Sequence, residues 1–225
     1  MLSNVKELFS SIMSGILIGM GCITFLSCDN KYIGAALFSL GLYAIIRFGF
    51  KLFTGKVGEI VFHTSSFDDF MSYAVTLAKM HLGNFLGIYS VATLFMLSRL
   101  GKFVGETELQ TKAASMVAVK TADSPVSLVI LGIGCGICMA IAAFGAKGGD
   151  EVSQASSKLS PISQPLLIIM PVMVFILCGF EHCIADMFYI LVTSSSPIDF
   201  IKVVACATIG NTIGGILVGL AKRYV

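Results

Sequence analysis

Three ionisable side chains lie close together in an otherwise apolar stretch of the C-terminal half: Glu181, His182 and Asp186. An ionisable group at bilayer depth is costly and normally faces the protein interior, so it marks a functional site by default. Pro171 and Gly179 weaken the helix there, and a broken membrane helix is tolerated where it lines a cavity or is covered by protein. The pattern therefore predicts a permeation site at a helix break, with His182 at its centre.

Each of these side chains also has a plainer interpretation. A lone buried histidine can simply bridge helices, and Glu181 and Asp186 are expected to hold helix ends or to contact neighbouring protomers, because acidic groups repel anions. Cys178, His182 and Cys183 could form a metal site on paper, but no second ligand cluster completes it. We therefore expect no metal and no cofactor. An enzyme is also disfavoured, since the sequence has no nucleophile elbow and no paired histidine motif.

The composition places these residues in a membrane protein. The chain of 225 residues is 56% hydrophobic and 12% charged, whereas an ordinary globular domain is about a quarter charged. Its length suits one domain of six spans, since each span needs about 20 residues plus a connection. The formal net charge of +2 and the lack of a basic tract argue against nucleic acid as a partner.

Start signals and turns divide the chain into helical spans. Ser124-Pro125, Ser160-Pro161 and Ser196-Pro197 each predict an N-cap followed by proline at the first helical position. Span 2 is expected to break at the glycines of residues 54–58 and span 5 at Gly179, and a polar connection is expected between spans 3 and 4. The six spans are predicted over residues 11–27, 32–53, 71–100, 125–146, 161–192 and 197–220.

The two halves of the chain resemble each other. Thr54 lies 30 residues before Asn84 and His182 lies 29 residues before Asn211, and each asparagine belongs to a Gly-Asn-x-x-Gly motif. An odd number of spans per half predicts repeats of inverted orientation, with substrate sites at their interface. This pseudo-symmetry sets Thr54 and His182 face to face across one path. Asn84 and Asn211 are expected to satisfy backbone groups that the breaks leave free.

Both ends of a six-span chain lie on one side of the membrane. With the N-terminus inside, nine lysines and arginines fall on the inner side and six on the outer side, a mild positive-inside bias. We therefore expect an integral protein of the plasma or inner membrane with both termini cytoplasmic. The chain is expected to form a single channel domain, residues 1–225, with repeats of about 1–110 and 111–225.

Three motifs resemble the formate/nitrite transporter family, and the likeness extends over essentially the whole chain: Leu52-Phe53-Thr54-Gly55, Gly179 to Met187, and Gly210 to Gly215. The resemblance implies an aquaporin-like fold of six spans with helices 2 and 5 broken. It also implies a homopentamer in the lipid bilayer, with one pore for small anions in each protomer. The implied pathway residues are His182, Thr54, Lys120 and Asn211, with one constriction of Phe38, Leu42 and Phe175 and a second of Leu52 and Phe53.

Two departures from the family pattern bear on the substrate. Many formate and nitrite members have asparagine where this chain has Gly136, and again where it has Asp186. Loss of the first amide would remove a hydrogen-bond partner for an oxyanion and widen the path, which favours the hydrosulfide-channel subgroup.

The predicted function is therefore a selective channel for small monovalent anions of weak acids, leaning to hydrosulfide, with formate and nitrite as related substrates. The alternatives are proton-coupled symport of formate or nitrite and, from another class, a membrane-bound metal-dependent sensor or enzyme. Because a bare anion crosses an apolar constriction only at high cost, Lys120 would attract the anion and favour its protonation. His182 would donate a proton or a hydrogen bond, Thr54 and Asn211 would orient the substrate, and the constrictions would stop hydrated ions.

Overall fold

A computed structural model describes residues 2–146 and 163–224, and these are helical apart from short connections. The helices in chain order are α1 (Leu2–Ser27), α2 (Lys31–Phe48), α3 (Phe53–Lys56), α4 (Phe67–Leu97), α5 (Glu108–Ala122), α6 (Pro125–Ala146), α7 (Ser163–Leu177), α8 (Cys183–Leu191) and α9 (Pro197–Tyr224). A 3₁₀ helix over Val57–Phe62 continues α3. The described ranges contain no strand, and the predicted all-α fold is confirmed.

Five of these helices are long and apolar enough to cross a membrane: α1, α2, α4, α6 and α9. The remaining span consists of α7 and α8, which are 15 and 9 residues long. At 1.5 Å per residue α7 reaches only about 22 Å, less than the hydrocarbon core of about 30 Å, so α8 must complete the crossing. The protein is therefore an integral membrane protein whose fifth span is broken.

The predicted helix starts are observed where the structure describes them. The Ser124 hydroxyl accepts the Ser127 N–H at 3.1 Å at the start of α6, and the Ser196 hydroxyl accepts the Asp199 N–H at 3.1 Å at the start of α9. These bonds satisfy backbone donors that a helix N-terminus leaves open. The third predicted start, Ser160-Pro161, lies outside the described residues.

The break in span 2 lies earlier than the sequence predicted. α2 ends at Phe48, and Gly49 adopts a left-handed conformation (φ 71°) that lets its N–H bond back to the end of the helix. Glycine adopts this conformation without steric cost, which is why it ends helices so often. The predicted break at residues 54–58 is wrong, because Gly55 and Gly58 lie inside α3 and the following 3₁₀ helix.

The connection between α4 and α6 contains a helix, α5, where the sequence predicted only a polar connection. Thr107 and Gln110 form a capping box at its start: the Thr107 hydroxyl accepts the Gln110 N–H, and the Gln110 side chain accepts the Thr107 N–H. Thr-x-x-Gln is a sequence signature of this motif. The helix was therefore readable from the sequence, and its consequence is that Lys120 lies on a helix rather than a loop.

Asn84 on α4 fastens the break between α2 and α3. Its side-chain nitrogen donates to the carbonyl oxygens of Ser11, at 2.8 Å, and Lys51, at 2.9 Å. Its side-chain oxygen accepts the Phe53 N–H at 2.9 Å. One buried amide thus joins α1, α4 and both sides of the break, and it satisfies backbone groups that would be costly to bury unpaired.

Asn211 on α9 fastens the break between α7 and α8 in the same way. Its nitrogen donates to the carbonyl oxygens of Gly132, at 2.9 Å, and Glu181, at 2.7 Å, and its oxygen accepts the Cys183 N–H at 3.0 Å. The two halves of the chain therefore share one construction, in which an asparagine joins two crossing helices to a break.

These matched bonds set the register between the halves. Phe53 is 31 residues before Asn84, whereas Cys183 is 28 residues before Asn211. Phe53 and Cys183 each begin a short helix after a break, so they are equivalent positions in the two halves. The residues before them, Leu52 and His182, are therefore equivalent as well. Sequence spacing had paired Thr54 with His182, which is wrong by two positions because the intervening segments differ in length.

Candidate functional site

The two breaks bring Thr54 and His182 into direct contact. Thr54 Oγ1 lies 3.1 Å from His182 Nε2, and both residues are only 1% exposed. The expected meeting of these side chains is observed, although they are not symmetry equivalents. Thr54 lies in the first turn of α3 and His182 is the N-cap of α8. Since both short helices begin after a break, the contact depends on both breaks.

His182 uses its other ring nitrogen to cap α8. Nδ1 accepts the backbone N–H of Ala185 at 3.1 Å. A nitrogen that accepts a hydrogen bond carries no proton, so a neutral imidazole here holds its proton on Nε2. Nε2–H then donates to Thr54 Oγ1, and the Thr54 hydroxyl hydrogen can donate to a small molecule bound beside it.

Two phenylalanine rings lie against this contact. The ring of Phe175 stacks on His182 with centroids 5.4 Å apart, and Phe38 meets Phe175 edge to face at 6.0 Å. Both phenylalanines are buried. The structure thus places these aromatic side chains together beside His182, and their role as a constriction stays a prediction.

A cavity of about 60 Å³ lies on the α5 side of His182. We call it the Lys120 cavity; its wall includes Phe38, Lys120, Phe175, His182 and Asp186. One water molecule needs about 10–15 Å³ of such space, so the cavity suits a solute of a few heavy atoms.

A second cavity, of about 90 Å³, lies on the α3 side. We call it the Lys56 cavity; its wall includes Leu42, Ile45, Leu52, Gly55 and Lys56. Ile45 is seven residues beyond Phe38 on α2, which corresponds to about 10 Å along the helix. Leu52 and Gly55, close to Thr54 in the chain, line this cavity, and His182 lines the other, so the Thr54–His182 contact lies between the two.

Leu42, Leu52 and Phe53 do not group as the two predicted constrictions require. Leu42, which was grouped with Phe38 and Phe175, lines the Lys56 cavity together with Leu52. Phe53 is turned toward α4 and packs edge to face against the ring of His81, with centroids 4.8 Å apart. Leu42 and Leu52 therefore form the apolar wall on the α3 side of Thr54.

Lys120 is held in a buried cluster with two carboxylates. Its Nζ lies 2.6 Å from Glu181 Oε2 and 3.0 Å from Asp186 Oδ1. All three residues are buried. The expectation that Glu181 and Asp186 hold helix ends or contact other protomers needs correction, because both pair with Lys120 inside the protomer.

Asn211 was predicted to touch the pathway, and its contacts give it a different role. Both of its amide hydrogens are used by carbonyl oxygens and its own oxygen accepts a backbone N–H. The residue has no exposed surface. Asn211 supports the site by fixing the chain around His182.

Gly136 lies where α6 crosses α9, not on the pathway. A Cβ at this position would overlap the backbone of Asn211. Asparagine therefore cannot replace Gly136 without separating the two helices. The expectation that glycine here widens the path is wrong, and so is the support that it lent to hydrosulfide.

Sequence reasoning missed Lys56, which lines the second cavity. Its Nζ lies 3.1 Å from Glu59 Oε1, and the Tyr73 hydroxyl donates to Glu59 Oε2 at 3.1 Å. The i,i+3 spacing of a lysine and a glutamate on a helix is a readable signal for such a pair. Each cavity thus has an ion-paired lysine in its wall.

A helical membrane protein with two small cavities, separated by a buried threonine–histidine contact, has the architecture of a channel or transporter. The chain belongs to the formate/nitrite transporter family, whose model matches residues 1–224. The resemblance inferred from the sequence motifs is thereby confirmed.

Individual relatives agree with this assignment. The chain is 25% identical to formate channel FocA of Haemophilus influenzae, covering 87% of this chain and 74% of that protein. It is 31% identical to the uncharacterized transporter YrhG of Bacillus subtilis, covering 85% of this chain and 70% of that protein. These relatives are channels or transporters, and the protein is not an enzyme.

Solved structures share the fold. An FNT family ion channel superposes with a TM-score of 0.80 at 22% identity, covering 98% of this chain and 90% of that one. A pentameric formate channel with formate bound superposes with a TM-score of 0.78 at 22% identity, covering 99% and 97%.

Proposed function

We propose that the protein is a channel for small monovalent anions of weak acids, which cross the Thr54–His182 contact in their protonated form. The observation that carries the proposal is this contact itself, because it separates two small cavities at the meeting point of two helix breaks. Relatives named formate channels give the substrate class its support.

The protonated acid is the form that this pathway favours. The contact is bordered by Phe38 and Phe175 on one side and by Leu42 and Leu52 on the other. Transferring a charge into such surroundings is very costly, whereas a neutral acid pays only for its polar groups. When the Thr54–His182 contact opens to let the acid pass, Nε2–H of His182 and the Thr54 hydroxyl can both donate to it, which partly offsets that cost.

Formate and nitrite are the first candidate substrates, and hydrosulfide is the second. One observation favours hydrosulfide: the amides of Asn84 and Asn211 are committed to the backbone, so they offer no donor to an oxyanion. The directional donors that remain at the centre are those of Thr54 and His182. A substrate that needs few hydrogen bonds loses least in such a site.

We further propose a homopentamer with one pathway per protomer and both termini in the cytoplasm. A pentameric structural relative supports the assembly, and the excess of lysine and arginine on the side of the termini supports the orientation. Mass measurement of the detergent-solubilised protein tests the assembly, and a dimer or a monomer would contradict it.

Flux into proteoliposomes tests the substrate class. Formate, nitrite, hydrosulfide and chloride are compared at equal concentration, with protein-free liposomes as the background. Chloride is the matched control, because its conjugate acid is too strong to carry a proton through the site. The proposal expects the weak-acid anions to pass and chloride to be excluded, so comparable flux of chloride would refute it.

The same liposomes distinguish passage of the protonated acid, which moves one proton with each anion as a symporter does, from passage of the bare anion. A proton gradient is imposed first with no anion gradient and then against one. If the protonated acid is the species that crosses, a proton gradient alone drives net accumulation of the anion. Movement that follows the anion gradient and the membrane potential alone would point to passage of the bare anion.

A further inference from the structure

Asp186, which lines the Lys120 cavity, carries an unsatisfied side-chain oxygen. The residue is 2% exposed, and its Oδ2 has no hydrogen-bond partner, unlike the other buried side-chain polar atoms of residues 2–146 and 163–224. A buried carboxylate oxygen without a partner is costly, and natural structures rarely leave one. An added proton on the carboxyl group, or a molecule bound in the cavity, would supply the missing partner.

The charges around Asp186 do not balance unless a proton is added. Lys120 contributes one positive charge, and it contacts both Glu181 and Asp186, each of which contributes a negative charge when ionised. The two carboxyl groups also lie within hydrogen-bonding reach of each other. Two ionised carboxylates at that distance repel, whereas a pair that shares one proton attracts.

Among the residues that the structure describes, the neighbours of Asp186 offer no second cation. Besides Lys120 and Glu181, the titratable groups near Asp186 are Cys22 on α1, Cys135 on α6, and His182, Cys183 and Tyr189 at the cap and within α8. The thiols and the phenol are neutral in apolar surroundings. His182 accepts at Nδ1 and is satisfied as a neutral ring. A single proton on the carboxyl pair is therefore the simplest way to neutralise the cluster.

We infer that Glu181 and Asp186 hold one proton between them and deliver it to an anion bound in the Lys120 cavity. The inference rests on the proposed function, and it identifies where the weak acid gains its proton. Asp186 lines the cavity, so a proton on its carboxyl group lies next to a bound anion.

The transfer step balances in charge and atoms. The anion uses a lone pair to take the proton, the O–H bond of the Asp186 carboxylic acid breaks, and its electrons remain on the carboxylate. The products are a neutral acid in the cavity and a cluster with one net negative charge. A proton from the aqueous solution then restores the pair, and until it does the negative cluster repels the next anion.

This role belongs to Asp186 specifically. An asparagine at this position, as in many members of the family, has the same shape but cannot share a proton with Glu181. With asparagine, Lys120 and Glu181 would form an ordinary neutral pair. The aspartate of this chain therefore adds one exchangeable proton per protomer at the Lys120 cavity.

Infrared difference spectroscopy of the purified, reconstituted protein tests the shared proton without relying on transport. A protonated carboxylic acid has a carbonyl stretch that ionised carboxylates lack, and the band shifts in D₂O. The inference expects this band in the wild type and its loss in both Asp186→Asn and Glu181→Gln, because the remaining carboxylate then pairs with Lys120 alone. Asp29→Asn, whose side chain is 97% exposed, is the matched control and should keep the band.

Each alternative has its own signature. Absence of the band in the wild type overturns the inference, as does a band that survives undiminished in Asp186→Asn, which would place the proton on Glu181 alone. If either variant fails to fold, the wild-type band and the other variant still decide. Size-exclusion chromatography of each variant provides the check on folding.

Addition of substrate tests delivery. Formate labelled with ¹³C, whose own acid band is displaced from that of the protein, should reduce the wild-type band as the pair hands its proton on, and chloride should leave it unchanged. Equal responses to the two anions would overturn the delivery step. If the wild type passes weak acids but lacks the band, the inference fails while the proposed function stands. If the wild type shows the band but passes no weak acid, the proposed function fails. The inference that the pair delivers its proton to a bound anion then fails as well.

Discussion

His182 performs two tasks with two nitrogen atoms, and they can be separated by substitution. Nδ1 caps α8 through the Ala185 N–H, and Nε2 contacts Thr54. Asparagine is among the best N-cap residues, since its side-chain oxygen accepts the same kind of bond. Alanine and phenylalanine supply neither interaction. The choice of replacement therefore decides whether a His182 variant reports on transport or on folding.

The first prediction is that His182→Asn folds and transports poorly. The cap is retained, while the Nε2 donor that offsets desolvation of the substrate is lost. Losing one buried hydrogen bond of about 1.4 kcal/mol corresponds to about a tenfold fall in weak-acid flux. Flux in proteoliposomes and oligomer mass are the measurements. Flux equal to that of the wild type in a correctly assembled variant would remove His182 from the pathway.

The second prediction concerns Lys120, which the structure shows to be a buried partner of two carboxylates. Lys120→Met leaves those carboxylates unpaired, and breaking a buried ion pair by removing one partner costs about 3–5 kcal/mol. We expect a lower unfolding temperature in detergent, with recovery when Asp186→Asn and Glu181→Gln are added. A variant as stable as the wild type would contradict this account.

Lys112 provides the control for Lys120, because it lies on the same helix in solvent. Hydrogen bonds that Lys112 donates to the carboxylates of Glu108 and Asp29 raise its pKa, so it stays charged throughout the physiological range. Lys112→Met removes the same charge without opening the interior, and exposed ion pairs contribute little to stability. Its unfolding temperature should remain close to that of the wild type.

Some of the features that begin and end the helices are easy to recognise in the sequence, and others are not. The serine–proline starts of α6 and α9 were predicted because capping is local. The end of α2 was misplaced, since Gly49, Gly55 and Gly58 look equivalent in a sequence, and only packing decides which of them adopts the left-handed conformation. Local signals thus fixed helix starts better than helix ends.

The candidate site, like the helices, was predicted only in part from the sequence. His182 was found because a histidine in an apolar span is conspicuous, and Thr54 because of the repeat and the family motif. The contacts of Lys120 with Glu181 and Asp186 both span more than 60 residues, and no local pattern encodes them. The sequence therefore located the residues, while their ion pairing depends on how α5 docks against the break.

The third prediction tests whether Asn211 supports the break or lines the pathway. Asn211→Ala removes three hydrogen bonds and leaves buried backbone groups unpaired, which costs about 1–3 kcal/mol for each unsatisfied group. We expect strong destabilisation in thermal unfolding, or failure to assemble. Ser90→Ala, an exposed position on α4, is the control. A stable Asn211→Ala protein with altered selectivity would return this residue to the pathway.

The fourth prediction concerns the apolar wall formed by α2. Leu42→Ala should raise weak-acid flux and admit some chloride, because the path between the cavities becomes wider and its desolvation cost falls. Leu40→Ala is the control on the same helix, since its side chain is 54% exposed and points away from the path. Loss of flux in a well-folded Leu42→Ala protein would mean that Leu42 does not narrow the pathway.

At the scale of the whole molecule, the crossings place the two termini on one side. α1 carries the chain across before Asp29, and five further spans return it to the side of the N-terminus. The end of α9 is fastened there, because Arg223 donates to the carbonyl oxygen of Val61 and to the hydroxyl of Thr64. One position after α1 and one at the end of α9 therefore suffice to determine which side of the membrane holds the termini.

The fifth prediction is that a membrane-impermeant thiol reagent labels Asp29→Cys in intact cells and does not label Tyr224→Cys. Both side chains are exposed, at 97% and 83%, so accessibility within the protein is not the limit. The wild-type protein, which has seven cysteines of its own, provides the background. Labelling of Tyr224→Cys alone would reverse the orientation, and equal labelling of both would contradict an even number of spans.

The two asparagines that fasten the breaks differ in when they become available during synthesis. Asn84 belongs to the first half of the chain, so the break between α2 and α3 can be fixed while the ribosome is still making the second half. Asn211 lies close to the end of the chain, and the segment before α8 has no such anchor until α9 emerges. Since membrane proteins are synthesised from the N-terminus, His182 must wait for the last helix before it can be held against Thr54. The pathway is therefore completed only at the end of biogenesis, when α9 has been made.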